Sequence, residues 1–219
     1  MRIVRSDGAE TRRKLLDAAG KLFAEKGYHA TRTSEICAAA GANDAAMHYH
    51  FGSKEKMYVL TWQHEFDKSI AKYPPNGGVP PEAPAIERLR GHTAALVQRS
   101  MDPGCRDFDI ARQEMSNPTG LLSSAIHAAM EPLRLMHLDL IRSILGPDAS
   151  EQDVQLCAMS VHAQSVTSLM QARQRRMAPR EHRPGPPPMP RFSAEVLTDH
   201  IVRFSMAGLM AVRAKQGEK

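Results

Sequence analysis

Three polar ring side chains, His48, Tyr49 and His50, stand side by side in a chain whose aromatic content is only 5%. Imidazole and phenol groups are flat and polar-tipped, which suits hydrogen bonds to phosphate oxygens and to the edges of bases. His48 and His50 are two positions apart, so on a helix they point to different faces and cannot chelate one metal ion together. The row therefore indicates contacts with a nucleic acid rather than a metal centre.

Two predicted helices precede this row. Apolar residues recur at helical spacing from residue 15 to residue 23, and Gly27 then supplies a C-terminal stop signal. Thr33 can cap a second, short helix, which Gly41 ends. The row must be held in position by packing against these two helices.

The row itself belongs to a third short helix, which Asn43 can cap. Met47 and Phe51 lie four positions apart on one face and anchor this helix from below, so the residues between them face outward. The small side chains of Ala45 and Ala46 let the helix backbone come close to DNA. This order of helices and a glycine-centred turn is the helix-turn-helix arrangement, whose second short helix enters the major groove.

A fourth helix starts at Ser53 and carries Lys54 in its first turn, where the helix dipole already favours a phosphate. The charge distribution agrees with this placement. The net charge is +5, and residues 1–72 hold 12 Lys and Arg against 9 Asp and Glu, whereas residues 73–172 hold 7 against 11. A basic first segment before an acidic middle fits a polyanion-binding head on a body with a different role.

Residues 11–58 resemble the DNA-binding head of the tetracycline-repressor family of bacterial transcription regulators. The matching stretches are LFAEKGYHATRTSEICAAAG, the Ala42-Asn43 pair, the row from Met47 to Phe51, and Ser53-Lys54-Glu55. The resemblance implies that the positions that contact DNA are Thr33, Ala46, His48, Tyr49, His50 and Lys54.

Two residues depart from the family pattern and bear on the operator sequence. His48 stands where the family usually has tyrosine, and Asp44 stands where a basic or neutral residue is commoner. When the capping and small residues are added to those implied by the resemblance, the predicted DNA-binding set is Thr33, Asn43, Ala45, Ala46, His48, Tyr49, His50 and Lys54.

The rest of the chain is also helical in period. The stretch YPPNGGVPPEAP at residues 73–84 is dense in proline and glycine, as is typical of an interdomain loop. Apolar stripes follow at helical spacing, and no alternating strand pattern occurs, so the predicted fold is all-α. We expect a helix-turn-helix domain at 1–52, a linking helix at 53–75 and a helical ligand-binding and dimerisation domain at 76–219.

The body resembles one branch of the same family. RQEMSNPTGLL and EPLRLMHLDLIRSILGPDASEQDVQLCAMSV look like the body of regulators with a broad C-terminal domain, similar to the regulator of antibiotic sensitivity in enteric bacteria. We expect a homodimer, held by helices near 151–176 and 193–213 that pack as a four-helix bundle. The family resemblance implies that a small molecule in the body spreads the two heads and releases the operator. The arginine-rich stretch 173–191 is interpreted as a solvated linker, although a contribution to DNA affinity fits its composition equally well.

The chain contains 13 methionines, many of them on apolar stripes of the body. Adaptable core filling and the lining of a pocket for varied apolar ligands explain such methionines about equally well. Polar side chains on the same helices could orient a ligand. On the pocket interpretation we expect an apolar or amphipathic effector, lined by Met101, Arg112, Met115, Met130, His137, Met159 and His162.

Other classes of function find less support. The sequence contains no HExxH motif, no GxSxG motif and no phosphate-cradling glycine loop, so we expect neither an enzyme nor a cofactor. Three scattered cysteines do not form a disulfide framework, and no apolar run is long enough for a signal-peptide core or a membrane span. We therefore expect a cytoplasmic, dimeric, ligand-responsive repressor that binds double-stranded operator DNA. The alternative is a small-molecule or metal-binding dimeric module without sequence-specific DNA binding. The acidic side chain of Asp44 is the observation that supports this alternative.

Overall fold

The structure is a computed structural model that describes the backbone of residues 4–177 and 192–216 and the side chains of residues 8–166 and 192–215. Within these ranges every regular element is an α-helix, which confirms the predicted all-α fold. The helices are α1 Val4–Ala30, α2 Thr33–Ala40, α3 Asp44–Phe51, α4 Lys54–Lys72, α5 Ala85–Met101, α6 Asp107–Ser116, α7 Ser123–Leu145, α8 Glu151–Met177 and α9 Ala194–Gln216.

The chain divides into two compact units. The head unit is drawn from Met1–Lys72 and Pro103–Ala129, so it contains α1 to α4, α6 and the start of α7. The body unit is drawn from Tyr73–Asp102 and Met130–Lys219. Because α6 follows α5 in sequence but belongs to the head unit, the chain leaves the head, forms one body helix and then returns.

Helix α1 is interrupted where the sequence predicts a stop. Gly27 has φ 75° and ψ 178°, a backbone conformation that glycine adopts without the strain of a Cβ atom. The hydroxyl of Thr31 donates to the carbonyl oxygen of Gly27 at 2.7 Å and so closes the turn towards α2. The apolar face of α1, with Leu15 and Phe23 fully buried, packs against α2, α4 and α6.

The N-terminus of α2 differs from the prediction that Thr33 is its cap. The N-cap residue is Arg32, which has extended backbone angles and whose backbone N–H donates to Glu35 Oε2 at 3.0 Å. The carboxylate three positions into the helix satisfies this donor, so α2 starts one residue earlier than a threonine cap would allow. Thr33 is therefore the first helical residue, and the assignment of a capping role to it is wrong.

The predicted cap at Asn43 is confirmed, and two serines cap later helices. The side chain of Asn43 accepts a hydrogen bond from the backbone N–H of Ala46 at 2.9 Å at the start of α3. Ser150 accepts from the N–H of Asp153 at 3.1 Å before α8, and Ser193 accepts from the N–H of Val196 at 3.2 Å before α9. Each side chain occupies one of the backbone donors that a helix N-terminus leaves free.

The body unit packs α5 and α8 against each other and both against α9. Its buried core draws on all four body helices through residues such as Leu89, Ile141, Val154 and Leu209. Pro132, which could start or kink a helix, lies inside α7. The 73–84 stretch forms the predicted loop, and it is docked on α5, since a Cβ atom on Gly77 would collide with the carbonyl group of Gly91.

Candidate nucleic-acid interface

The recognition row lies on α3 with the predicted division into inner and outer faces. Met47 and Phe51 are only 2% and 4% exposed, whereas Tyr49 between them is 85% exposed. A large aromatic side chain that leaves most of its surface in water, above an anchored helix, is unusual for a folded chain and typical of a contact surface.

The remaining predicted contacts of α3 surround Tyr49. Ala45 and His48 are exposed, while Ala46 and His50 are half-buried. His50 lies edge-on to Tyr49 with ring centroids 5.0 Å apart, and a Cβ atom on Gly8 of α1 would come within 3.9 Å of its ring. The ring of His50 therefore lies between Tyr49 and Gly8 of α1.

One ring nitrogen of His48 makes a hydrogen bond within the chain. His48 Nδ1 lies 3.0 Å from the carbonyl oxygen of Gly52, and since a carbonyl only accepts, the nitrogen is the donor. This contact fixes the ring at the C-terminal end of α3 and leaves Nε2 for an external partner. The Asn43 side chain is also partly used within the chain, because its Oδ1 accepts from the backbone N–H of Ala46. Its amide nitrogen keeps two donors for a phosphate.

Lys54, half-buried at the start of α4, is held against an aromatic ring that the sequence did not single out. Its Nζ lies 4.2 Å from the centroid of Tyr28, and the Tyr28 hydroxyl donates to Glu55 Oε1 at 2.8 Å. Burial lowers the pKa of Lys54, while burial and the neighbouring carboxylate of Glu55 raise the pKa of Tyr28 to about 12. The ammonium group is thus positioned before any DNA arrives, at a helix N-terminus that favours anions.

Arg12 is a second cation that the residue pattern did not reveal. Its guanidinium carbon lies 5.4 Å from the centroid of Phe51, the buried anchor of α3. An arginine over an aromatic ring combines packing with charge, so Arg12 adds positive potential beside the recognition helix. Neither Arg12 nor Tyr28 could be found by helical period, because both contacts join side chains that are far apart in sequence.

Helix α6 is hydrogen-bonded to α4 by buried polar groups and to α1 by Gln113. The Tyr58 hydroxyl of α4 donates to Glu114 Oε2 at 3.1 Å, and the hydroxyl of Ser69 donates to Asp107 at 2.8 Å. Gln113 Nε2 donates to the carbonyl oxygen of Glu25 at 2.9 Å, close to the interruption of α1. A displacement of α6 would therefore either move α1 and α4 with it or break these hydrogen bonds.

The residues predicted to bind an effector are divided between the two units. Arg112 and Met115 lie on α6 in the head unit, and Met101, Met130, His137, Met159 and His162 belong to the body unit. Met115 and Met159 are mostly exposed, and Met101 packs near Val97 and Ile201. The rings of His137 and His162 are brought together, and His92, which the sequence did not single out, joins them.

One group of possible metal ligands occurs among the described residues. Asp17, His64 and Glu65 place one ligand atom each within 4.8 Å of one another in the head unit. Two cations already occupy this group, because Lys68 Nζ lies 2.9 Å from Asp17 and Arg106 Nη1 lies 3.3 Å from Glu65. The carboxylates are therefore neutralised by side chains, and an added metal ion would be repelled by them.

Head and body together define a class of protein. The head presents a helix-turn-helix with an exposed recognition helix, and a separate helical body follows, as in regulators that couple a DNA-binding head to another domain. In the part of the chain that the structure describes, no helix combines the length and apolar character that crossing a membrane demands.

Comparison with known families identifies this class further. Residues 15–59 match the bacterial regulatory proteins of the tetR family, and residues 85–209 match the C-terminal domain of the HTH-type transcriptional dual regulator CecR. The chain belongs to the tetR family of bacterial transcriptional regulators, and the predicted membership of this family and of its broad-bodied branch is confirmed. It is a DNA-binding transcriptional regulator by this membership.

Individual relatives cover different shares of the chain. The dual regulator CecR of Shigella flexneri is 48% identical over 161 residues, which are 66% of this chain and 69% of CecR. The repressor NicS of Pseudomonas putida is 37% identical over 73 residues, which are 32% of this chain and 34% of NicS. The repressor KstR2 of Rhodococcus jostii is 40% identical over 62 residues, 28% of this chain and 30% of KstR2. The chain thus spans about a third of the length of NicS and KstR2.

Solved structures confirm the fold at low sequence identity. A TetR-like regulator from Rhodococcus sp. RHA1 has a TM-score of 0.66 at 19% identity and covers 91% of this chain and 96% of its own. The fatty acid degradation regulator FadR of Bacillus halodurans has a TM-score of 0.66 at 15% identity, over 90% of this chain and 98% of its own. The arrangement of helices therefore persists where most side chains differ.

Proposed function

We propose that this protein is a cytoplasmic, homodimeric repressor that binds double-stranded operator DNA and leaves it when a small apolar or amphipathic molecule binds the body unit. The observation that supports it most directly is the exposed row of α3 above its buried Met47 and Phe51 anchors, with Lys54 fixed beside it. Relatives named as repressors, NicS and KstR2, support the sign of regulation, while CecR is named a dual regulator.

On DNA, the parts of the head have separate roles. Tyr49 and the free Nε2 of His48 face outward and read base edges in the major groove. Lys54 and the amide of Asn43 contact phosphate oxygens, which sets the register without carrying sequence information. Thr33 at the start of α2 and the small Ala45 and Ala46 allow the backbone to approach. On this proposal the predicted DNA-binding residues of α2, α3 and the start of α4 contact the same stretch of DNA.

Dimerisation uses an apolar face that the body unit leaves exposed. On α9, Val196, Phe204 and Met210 are between 44% and 64% exposed, and on α8 Leu156 and Met159 are 49% and 63% exposed. Exposed apolar side chains along two neighbouring helices are a liability in a monomer and are stabilising when a second copy covers them. Two copies joined there present two heads, which matches a two-fold operator with half-sites about one helical turn apart.

Release of the operator requires an effector that binds the DNA-incompetent state more tightly than the competent one. The helix that returns from the body to the head, α6, is suited to transmit the difference, because it is hydrogen-bonded both to α4, through the buried Tyr58–Glu114 pair, and to α1, through Gln113. By linkage, operator affinity falls by the same factor by which DNA weakens effector binding. A ligand that binds the DNA-competent and DNA-incompetent states equally tightly would not release the operator.

The test is to recover the genomic DNA fragments that the purified full-length protein enriches, and then to measure binding to them and to scrambled fragments at several salt concentrations. A regulator shows a sequence-selective excess in affinity as well as a salt-dependent background. Equal affinity for both fragments would support the alternative, a ligand-binding module without sequence-specific DNA binding. A reporter gene behind the recovered site then gives the sign of regulation, since repression predicts lower expression with the protein present.

A further inference from the structure

Three imidazole rings from three helices meet in the body unit. His92 of α5 and His137 of α7 are stacked, with ring centroids 4.7 Å apart and planes inclined by 25°. His162 of α8 lies beyond, 6.4 Å from His137. His137 is buried, His92 is half-buried and His162 is exposed, so the cluster extends from the interior of the unit to its surface.

Backbone carbonyl groups fix which nitrogen carries the proton in two of these rings. His137 Nε2 lies 3.1 Å from the carbonyl oxygen of Ala158, and His92 Nδ1 lies 2.9 Å from the carbonyl oxygen of Pro75. Because a carbonyl oxygen only accepts, both of these nitrogens are donors. A neutral imidazole has one donor and one acceptor, so Nδ1 of His137 and Nε2 of His92 each carry a lone pair.

None of the residues that the structure describes donates a hydrogen bond to the lone pair of His137. His137 is 7% exposed, and its Nδ1 is buried without a hydrogen-bond partner in the part of the chain that the structure describes. A buried acceptor left unpaired is costly, and such atoms are rare in native proteins unless a ligand or a water supplies the donor. Burial, and then the nearby ring of His92, lowers the pKa of His137 to about 4. The ring is therefore neutral at pH 7 and offers an acceptor rather than a charge.

A transition metal fits this arrangement poorly. A metal ion lies in the plane of each imidazole ligand, about 2 Å from the nitrogen, and stacked rings with nearly parallel planes do not aim at one such point. The ligand atoms of the three histidines also do not form a group within 4.8 Å, in contrast to Asp17, His64 and Glu65, over the residues that the structure describes. The cluster is better suited to a molecule that donates hydrogen bonds.

We propose that His137 and His92 form the polar end of the effector site and take an uncharged, largely apolar molecule through a hydroxyl or amide N–H group, and that they reject carboxylates. This inference rests on the proposed function only in calling the ligand an effector. The lone pairs of the two rings attract a donor and repel carboxylate oxygens. Protonating a ring to pair with a carboxylate would require a proton that its burial disfavours. Leu138, the next residue after His137, belongs to the buried apolar cluster of the body unit together with Ala158 and Val161, so the two histidines adjoin an apolar core.

The experiment uses the full-length protein with ¹⁵N-labelled histidine rings and three probes of similar shape: phenol, toluene and benzoate. Phenol is expected to shift the Nδ1 resonance of His137 in a saturable way and to bind at least about tenfold more tightly than toluene or benzoate, because only phenol supplies the missing donor. Thermal unfolding should show the same order of stabilisation. Neither measurement contains DNA, so failure here leaves the proposed DNA-binding function standing, and loss of DNA binding leaves this site standing.

The variant His137→Phe keeps a ring of similar size and removes the acceptor. In this variant the preference for phenol over toluene should disappear, while toluene binds as well as before. If it does not fold, the resonance shifts of the wild type still decide the question. The proposal is overturned if benzoate binds as tightly as phenol, if no probe moves the His137 resonance, or if Zn²⁺ binds at one equivalent and shifts all three rings.

Discussion

The ammonium group of Lys54 lies 4.2 Å above the ring of Tyr28, and the hydroxyl of that tyrosine donates to Glu55, the residue next to the lysine. The phenol ring therefore connects the last turn of α1 to the first turn of α4. A lysine side chain free in water samples many rotamers, and ordering it costs free energy on binding. Because Tyr28 orders Lys54 in advance, a phosphate contact made by this lysine costs less entropy.

Replacing Lys54 or Tyr49 by alanine is expected to weaken operator binding roughly tenfold while leaving the dimer intact, since a charged or aromatic contact is lost from an exposed surface. Lys54→Ala should also reduce the magnitude of the salt slope, log Kd against log salt concentration, by about 0.9 for each head, since each head loses one phosphate contact. Arg134→Ala is the matched control, because Arg134 is an exposed cation of the body unit paired with Glu131. Unchanged affinity and slope in both head variants would contradict the assignment of the recognition helix.

Tyr28→Leu should weaken operator binding roughly threefold, because the cation–π contact to Lys54 is lost. Tyr28→Phe keeps the ring and should bind almost as well as the wild type. The decisive measurement is a double-mutant cycle: if Tyr28 acts through Lys54, Tyr28→Leu adds nothing in the Lys54→Ala background. An equal loss in both backgrounds would assign Tyr28 a general structural role, which its contacts with Phe23 and Tyr58 could also explain.

Glu114→Leu should lower the free energy of unfolding by roughly 2 kcal/mol, measured by urea denaturation. The buried carboxylate accepts from the Tyr58 hydroxyl at 3.1 Å, from the N–H of Thr119 at 2.9 Å and from the N–H of Gly120 at 2.8 Å. Leucine keeps the volume and leaves these donors unpaired, although water can reach the exposed Gly120. Glu114→Gln, which retains one acceptor oxygen, should lose less. Equal stability of the wild type and the leucine variant would mean that this network does not hold α6 in place.

Gly208→Glu should convert the dimer into monomers or insoluble protein and abolish operator binding. Among the residues that the structure describes, a Cβ atom on Gly208 would meet nothing within 4 Å, so we expect a single copy to tolerate the substitution. In a helix-packed dimer the same position faces the partner, and a charge there is buried without a counter-ion. Size-exclusion chromatography with light scattering gives the mass directly. A soluble dimer of normal size from this variant would place the interface elsewhere.

Acid is expected to destabilise the protein through His137. Its pKa in the folded chain is about 4, below the ordinary value of 6.5, so the unfolded chain binds the proton more readily between these pH values. The contribution of His137 to the free energy of unfolding is therefore constant above pH 7 and falls as the pH drops from 6.5 to 4. Below pH 4 the loss from this residue is roughly 3 kcal/mol. His137→Phe should flatten this part of the pH profile of urea denaturation. A profile of unchanged steepness in the variant would assign the acid sensitivity to other groups.

Much of the head could be predicted because its signals are local. A helix period, a capping side chain and a glycine turn depend on residues within a few positions of one another, and Asn43, Met47 and Phe51 took their predicted places. The cap of α2 was placed wrongly for the same kind of reason. A threonine at a helix start is a good cap in isolation, but Glu35 satisfies the N–H of Arg32 and moves the cap by one residue.

The body shows the limit of local signals. Methionines on apolar stripes predicted the lining of a ligand pocket. The period of a helix, however, does not determine whether an apolar stripe faces the core, a partner chain or water. Met159 is 63% exposed on α8 and is part of the face proposed for the dimer. His137 and His162 were chosen as polar groups, and their third partner, His92, was missed because it lies on a different helix more than forty positions away from His137.

The sequence by itself determined the helical fold, the family and the outward-facing row of α3, because each depends on patterns within short stretches of chain. Only the tertiary structure decided that α6 belongs to the head, that Tyr28 orders Lys54, and that three histidines meet around an unpaired nitrogen. These relationships depend on the directions in which helices cross, and a crossing is set by the packing of whole faces against one another. No single residue encodes that packing, so its consequences appear only when the chain is folded.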